Sequence, residues 1–214
     1  MGIEHTIGYV FMAIFPIVNP IGMSAVFLGL TRAYSNEERH LLARHVSLYF
    51  FVLLAGTMLA GSFILEFFGI TIGVVRVAGG LLVFKAAWEM LDSQPKLSKE
   101  EESESSGSPS EIAFFPLTMP ITAGAGTLAM ALAIAGKLNR DLDMQMVGEH
   151  LGALIGLAAV SVTIFVCYRF ADSIFQRLGT VGTNVVTKLS AFILLSVGVE
   201  IVWDGLEELI SKMH

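Results

Sequence analysis

Charge and cysteine are both scarce in this sequence of 214 residues. Asp, Glu, Lys and Arg make up 15% of it, whereas ordinary soluble domains carry about 25%. Residues 7–30 and 112–136 contain no charged side chain. About 20 helical residues cross a hydrocarbon core of about 30 Å. Such uncharged runs argue against a soluble domain and predict membrane-spanning helices.

The single cysteine, Cys167, excludes an intrachain disulfide. It lies in an apolar segment, which favours a small packing residue over a reactive thiol. Gly152 and Gly156, in the same segment, are spaced for close packing of helices. The first five residues lack the positive charge that opens a signal peptide, and the apolar run after them is longer than a signal peptide's. We therefore expect that run to be a retained span.

Two functional classes lack the residues that they need. An intramembrane enzyme requires a buried nucleophile with a base, or a metal cluster. The five histidines stand at the ends of the chain or in predicted loops, and none shows the HExxH spacing. Nucleic-acid binding requires a basic patch, which is missing as well. We expect neither an enzyme nor a nucleic-acid partner, and no metal or organic cofactor.

Six apolar segments predict an all-α, polytopic membrane protein. The predicted spans are residues 7–30, 46–65, 70–91, 112–135, 151–168 and 185–203. Arg76 and Lys85 interrupt the third span, and Glu200 interrupts the sixth. Residues 92–111 are rich in Ser and Glu, which cannot bury apolar area. This composition predicts a hydrophilic, acidic linker between a first half, 1–91, and a second half, 112–214.

Lysine and arginine divide unevenly between the predicted loops, and this division sets orientation by the positive-inside rule. The loops after the first, third and fifth spans hold Arg32, Arg39, Arg44, Lys96, Lys99, Arg169 and Arg177. The opposite side holds Lys137, Arg140 and Lys212. We expect the first group on the cytoplasmic side of the cell membrane and both termini outside.

A short proline motif occurs once in each half. Residues 15–21 read FPIVNPI and residues 115–121 read FPLTMPI, at a constant offset of 100. Four of the six prolines in the chain lie in these two segments. Each half therefore opens with a proline-broken span and contains three spans. Because that number is odd, the second half enters the membrane from the opposite side, which predicts inverted repeats like those of many secondary transporters.

Proline removes a backbone donor and clashes with the carbonyl four residues earlier. Two prolines one turn apart, followed by small residues, predict a locally unwound helix. Lipid cannot satisfy the freed groups, so each break must face protein or a water-filled cavity. There the break offers carbonyls to an ammonium group and a helix N-terminus to a carboxylate. These features favour a small polar or zwitterionic solute.

Asn19 is the strongest polar residue at the centre of a predicted span. Its amide either caps a carbonyl freed by proline or contacts the solute directly. The same two roles are open to Thr118 and Thr122. Gly124 and Gly126 serve either a binding loop or close helix approach. The predicted substrate site draws on both breaks: Asn19, Pro20, Gly22, Thr118, Pro120, Thr122, Gly124 and Gly126.

Four ionisable residues are candidates for coupling or gating. Arg76 and Lys188 occupy matching places in the two halves, at an offset of 112. Each either extends to a membrane surface or, if it lies deep, needs a partner. Glu89 and Glu200 are either proton carriers, ion-pair partners or ordinary interfacial residues.

Three motifs together resemble the MarC family of six-span membrane proteins. They are Asn19-Pro20-Ile21-Gly22, Arg76-Val77-Ala78-Gly79-Gly80, and Pro116-Leu117-Thr118-Met119-Pro120 with the glycines that follow. The resemblance covers essentially the whole chain. Where the family often has Gly-Pro-Gly, this chain has Gly124-Ala125-Gly126, so we expect its second break to be the softer one.

The resemblance implies a secondary transporter of small neutral amino acids, such as glycine or alanine. It further implies coupling to an H+ or Na+ gradient and alternating access between the two halves. An exporter or a passive channel for another small polar solute is the alternative. The expected partners are the substrate, membrane lipid and a second copy of the chain in a homo-oligomer.

Overall fold

A computed structural model describes residues 2–92, 109–138 and 144–211. These residues form the helices α1 (Ile3–Val18), α2 (Pro20–Leu30), α3 (Asn36–Phe68), α4 (Ile72–Asp92), α5 (Pro109–Ile112), α6 (Ala113–Thr122), α7 (Ala125–Ala135), α8 (Met144–Arg169) and α9 (Ala171–Ser211). The all-α prediction is confirmed. Most of the predicted linker, residues 93–108, lies outside the described residues.

Local sequence signals fix the ends of the long helices. Ser35 and Glu38 form a reciprocal capping box at the start of α3, which satisfies two backbone donors. Gly69 ends that helix in the left-handed conformation, with φ of 65°. Gly179, with φ of 63°, interrupts α9 in a conformation that favours glycine. No feature singled out in the sequence predicted this interruption.

Each predicted span is helical over most of its length, but fewer than six segments of the described residues qualify as spans by length and composition. Three helices of the described chain qualify: Asn36–Gly61 within α3, Met144–Arg169, and Asn184–Ser211 within α9. The number rises to five if α1 with α2, and α6 with α7, each count as one bent span. The third predicted span, α4, does not qualify, because it carries Arg76, Lys85 and Glu89.

The two halves interlock rather than stand side by side. The broken segment of the first half, α1 and α2, packs on α8 and α9 of the second half. The broken segment of the second half, α6 and α7, packs on α3 and α4 of the first. The remaining helices meet their counterparts, α3 against α8 and α4 against α9. Each broken segment therefore packs on helices of the other half.

Glycines let the backbones of these helices touch. A Cβ at Gly152 would lie 2.8 Å from the Ile3 carbonyl oxygen, and one at Gly156 would lie 2.7 Å from that of Ile7. The predicted packing role of this pair is confirmed. At the α4–α9 contact, a Cβ on Gly198 would lie 3.1 Å from the Gly80 carbonyl oxygen. Larger side chains would force both helix pairs apart.

Candidate functional site

The first break is made by one residue, Asn19. Its backbone is left-handed, with φ of 47° and ψ of 57°, and α1 and α2 meet there at 43°. Helical hydrogen bonds continue on both sides, from the Asn19 N–H to the Phe15 carbonyl at 3.0 Å and from the Met23 N–H to the Asn19 carbonyl at 2.9 Å. Asparagine tolerates this conformation better than most residues. Pro20 then begins α2 at the position that favours proline.

The Asn19 side chain is half satisfied. Its Oδ1 accepts a hydrogen bond of 3.2 Å from the Gly22 N–H, which caps α2. Its Nδ2, in contrast, has no hydrogen-bond partner among the described residues, although Asn19 is only 8% exposed. The bond to Gly22 also fixes the orientation of the amide, because only the oxygen can accept from an N–H. Asn19 therefore caps an N–H and not a freed carbonyl. The two N–H groups of its Nδ2 are buried donors at the break.

Helices of both halves surround the first break. Ile17, two residues before Asn19, packs in an apolar cluster with Val83 of α4 and with Leu194 and Ile201 of α9. Met130 of α7 packs against the same cluster. The buried donors of Asn19 therefore lie among helices of both halves, which agrees with the expectation that each break faces protein or a water-filled cavity.

The second break is longer and sharper. Phe115 and Met119 are extended within α6, each before a cis proline, and the surrounding residues wind with bonds that span five residues. The Ala123 N–H donates to the Thr118 carbonyl at 2.7 Å in this pattern. Segments α6 and α7 meet at 71°, against 43° for the first break. The expectation of a softer second break is wrong. The irregular backbone extends through α6 and does not depend on a proline at the Ala125 position.

Thr118 and Thr122 hold the second break together. The Thr118 hydroxyl donates to the Ala113 carbonyl at 2.6 Å, and the Thr122 hydroxyl donates to the Leu117 carbonyl at 2.7 Å. Both threonines are buried. Their protons therefore satisfy backbone carbonyls in this structure, and direct substrate contact by either residue stays a prediction. Pro120 lies on the exposed side of the break, whereas its counterpart Pro20 is buried.

Gly124 and Gly126 lie at tight contacts. A Cβ on Gly126 would lie 2.2 Å from Cγ2 of Val83 in α4, and one on Gly124 would lie 3.1 Å from the Pro120 carbonyl oxygen. Of the two roles left open, the structure therefore favours close approach for Gly126. A binding role for either glycine stays a prediction.

Tyr168, which no sequence motif singled out, contacts both broken spans. Its hydroxyl lies 2.9 Å from the Thr122 hydroxyl, and its ring stacks on Phe27 of α2 with centroids 4.5 Å apart. A tyrosine at the end of an apolar segment is typical of a membrane interface. No pattern in the sequence distinguishes Tyr168 from such an interfacial residue.

Two of the four predicted charged residues join the halves. Arg76 pairs with Glu208 of α9 at 3.1 Å and is largely buried, and Glu208 was not among the predicted partners. Lys188 donates to the Leu91 carbonyl at the end of α4. These matching residues therefore each reach the far end of the partner helix.

The other two charged candidates face outwards. Glu89 is exposed and lies 3.8 Å from Lys85, and Glu200 is exposed on α9. A further ion pair, Arg39 with Asp172 at 2.7 Å, joins the start of α3 to the start of α9. Coupling through Glu89 or Glu200 stays a prediction.

The described residues are helical and hold three candidate membrane spans, or five if each bent pair is one span, which defines an integral membrane protein. The chain belongs to the MarC family of integral membrane proteins, whose model matches residues 4–210. The resemblance noted in the sequence is thus confirmed.

Individual relatives cover nearly the full length. The chain is 32% identical to UPF0056 membrane protein YvbG of Bacillus subtilis over 202 residues, 93% of each chain. It is 32% identical to UPF0056 inner membrane protein MarC of Citrobacter koseri, with all of both chains covered. The inner membrane protein MarC of Salmonella typhimurium is 30% identical, also over both full lengths. No solved structure shows a significant match.

Proposed function

We propose that this chain is a secondary transporter of small neutral amino acids, driven by an H+ or Na+ gradient and working by alternating access of two inverted halves. The observation that carries the proposal is the buried, unpartnered Nδ2 of Asn19 at the start of α2. A buried polar group without a partner costs about 1–3 kcal/mol, so its retention favours a ligand that supplies the missing acceptor.

The matched packing of the halves supports the inverted arrangement. A two-fold axis in the membrane plane would exchange α1–α8 with α6–α3, and α2–α9 with α7–α4, and each of these pairs is in contact. It would also relate Arg76 to Lys188, each of which reaches the far end of the partner helix. With the charge of Arg76 paired, α4 completes three spans in the first half. With three spans in each half, both termini would lie on one side of the membrane, and the distribution of Lys and Arg favours the outside for them.

The first break offers both ends of an amino acid a partner. The carboxylate would accept from Nδ2 of Asn19 and from the Ile21 N–H at the start of α2, where the helix dipole also favours an anion. Pro20 has no N–H, and the N–H groups of Gly22 and Met23 already donate to Asn19. Because Pro16 and Pro20 carry no N–H, the carbonyls of Met12 and Pro16 receive no helical bond, and they can accept from an ammonium group.

The surroundings of the first break limit the size and charge of the substrate's side chain. A Cβ on Gly22 would already lie 2.5 Å from Nδ2, so the space beside the amide is small. The cluster around Ile17 is apolar, which disfavours a charged side chain. Glycine and alanine fit these limits. The proposal gives the chain no catalytic step and no bound cofactor.

Counterflow of labelled glycine into proteoliposomes tests the proposal. We expect saturable uptake that internal unlabelled glycine accelerates, which a channel cannot show. Asn19→Asp keeps the cap and the left-handed backbone but replaces the NH2 donors with a carboxylate oxygen. We expect it to reduce counterflow at least about tenfold, since a charged hydrogen bond contributes about 1.5–3 kcal/mol.

Asn184→Asp makes the same chemical change at an exposed position on α9, away from both breaks, and should leave counterflow unchanged. Linear flux, or no flux of any small neutral amino acid, would overturn the proposal. Wild-type counterflow in Asn19→Asp would remove Asn19 from the site.

A further inference from the structure

Tyr168 touches both broken spans. It lies near the end of α8, is 2% exposed, and belongs to neither break. Its ring stacks on Phe27 of α2, which is 1% exposed, with the ring planes 17° apart. Its hydroxyl reaches Thr122, the last residue of α6. One rigid side chain on a third helix therefore contacts the first broken span through its face and the second through its hydroxyl.

The direction of the hydrogen bond follows from counting protons. Thr122 has one hydroxyl proton, and it donates that proton to the Leu117 carbonyl. Tyr168 must therefore donate to Thr122, at 2.9 Å. The result is a buried chain of two hydrogen bonds, from Tyr168 to Thr122 and from Thr122 to the Leu117 carbonyl. Leu117 lies between the two prolines of the second break. Bonds in such a chain polarise and reinforce one another.

The stacked ring makes this chain sensitive to the first span. Both rings are buried among packed neighbours, so a movement of α2 has to carry the Tyr168 ring with it. A hydrogen bond weakens steeply once its distance and angle leave a narrow range. A shift of about 1 Å at Phe27 would lengthen the bond to Thr122 beyond that range. A movement of α2 would thereby change the hydrogen bonding at the Leu117 carbonyl.

We infer that Tyr168 is a positioning residue that couples the two breaks, so that one changes conformation only when the other does. The inference rests on the proposed transport function, because alternating access requires that both half-sites change together. It assigns Tyr168 to the conversion between states and not to substrate binding. Its removal should therefore lower turnover while leaving affinity nearly unchanged.

Tyr168→Phe keeps the stacked ring and deletes only the hydroxyl. We expect the maximal rate of glycine counterflow to fall about tenfold, with the glycine Kd changed by less than about threefold. Thr122→Val removes that acceptor and also the bond to the Leu117 carbonyl, so the double variant should lose no more than Thr122→Val alone. Tyr9→Phe deletes a hydroxyl from a partly buried tyrosine of α1 and should behave as wild type. Equal losses of rate and affinity, or unaltered counterflow in Tyr168→Phe, would overturn the inference.

A second measurement needs no substrate. Hydrogen exchange of residues 113–123 reports the second break, and Phe27→Leu changes a residue of the first span that has no hydrogen bond to the second break. We expect Phe27→Leu to accelerate exchange in 113–123, and Tyr168→Phe to remove that effect. Phe63→Leu, at a position 74% exposed on α3, is the matched control and should change nothing there.

The two measurements separate failure of the inference from failure of the proposed function. If the wild-type protein neither binds nor transports small neutral amino acids, the proposed function falls, and the exchange experiment alone decides whether Tyr168 couples the breaks. Exchange in 113–123 that ignores Phe27→Leu, or that responds to it equally with and without the Tyr168 hydroxyl, contradicts the coupling.

Discussion

The two proline motifs of this chain share their prolines and fold differently. In the first, a left-handed Asn19 bends the chain within one residue, and α-helical bonding continues on both sides. In the second, the disturbance extends through Ala113–Thr122. The differing positions explain the contrast. Where the first copy has Asn19 and Gly22, the second has Met119 and Thr122, which cannot form the same cap.

The contrast separates two ways of repairing a broken helix. In the first break, an amide oxygen caps an N–H, and the amide nitrogen is left as a buried donor. In the second break, threonine hydroxyls satisfy carbonyls, and both threonine protons are used. The first break can therefore donate to a ligand, whereas the second is closed by its own bonds and linked to its neighbours by Tyr168. Under the proposed function, the first segment would recognise the substrate and the second would be held in position by Tyr168.

The largest expected effect comes from closing the first break. Gly22→Ala places a Cβ 2.5 Å from Nδ2 of Asn19, so the amide has to swing away. We expect glycine counterflow to fall more than about tenfold, while helix propensity offsets much of the lost cap, about 1 kcal/mol in each direction. Thermal unfolding in detergent should therefore stay near the wild-type value.

Gly56→Ala is the matched control, since a Cβ on Gly56 of α3 meets nothing within 4 Å. It should leave counterflow unchanged. If Gly22→Ala transports normally, or if it unfolds at a much lower temperature, then the first break is not the recognition site that its contrast with the second break suggests.

The predictions from sequence agree best with the structure where proline determines the backbone conformation. The positions of both breaks follow from the paired prolines alone, and the apolar runs predict helices correctly. The conformation within each break depends on whether Asn19 or Thr118 finds a nearby backbone partner, and a linear pattern does not reveal that partner. Glu208 was missed for a related reason, since its partner Arg76 is brought close only by the packing of α4 on α9.

An intermediate effect is expected in the second break. Thr118→Val keeps the shape of the side chain but deletes the hydroxyl that satisfies the Ala113 carbonyl. Leaving a buried acceptor unsatisfied costs about 1–3 kcal/mol, so the unfolding temperature should fall. Thr118→Ser restores the hydroxyl and should recover most of the loss. If Thr118→Val instead weakens glycine binding at unchanged stability, the second break also donates to substrate, and the division of roles is wrong.

The smallest expected effect comes from Ala125→Pro, which makes the start of α7 resemble the start of α2. Segment α2 begins with Pro20, whereas α7 begins with Ala125 after an extended Gly124, with φ of −71° and ψ of 173°. That extended conformation is the one a residue before proline prefers, and the first helical position does not need its N–H. Ala125 is also exposed, which leaves room for a ring. Ala125→Pro should therefore stabilise the folded protein by about 0.4–1 kcal/mol, chiefly by restricting the unfolded chain.

Thermal unfolding of Ala125→Pro against the wild type measures this gain, and Ala129→Pro provides the contrast. Ala129 lies in the interior of α7, where proline removes a helical bond and clashes with the carbonyl of Ala125, at a cost of about 3 kcal/mol or more. We expect opposite shifts in unfolding temperature from the same substitution four residues apart. A destabilised Ala125→Pro would mean that the start of α7 needs its N–H, and that the two breaks differ at their helix starts as well as within α6.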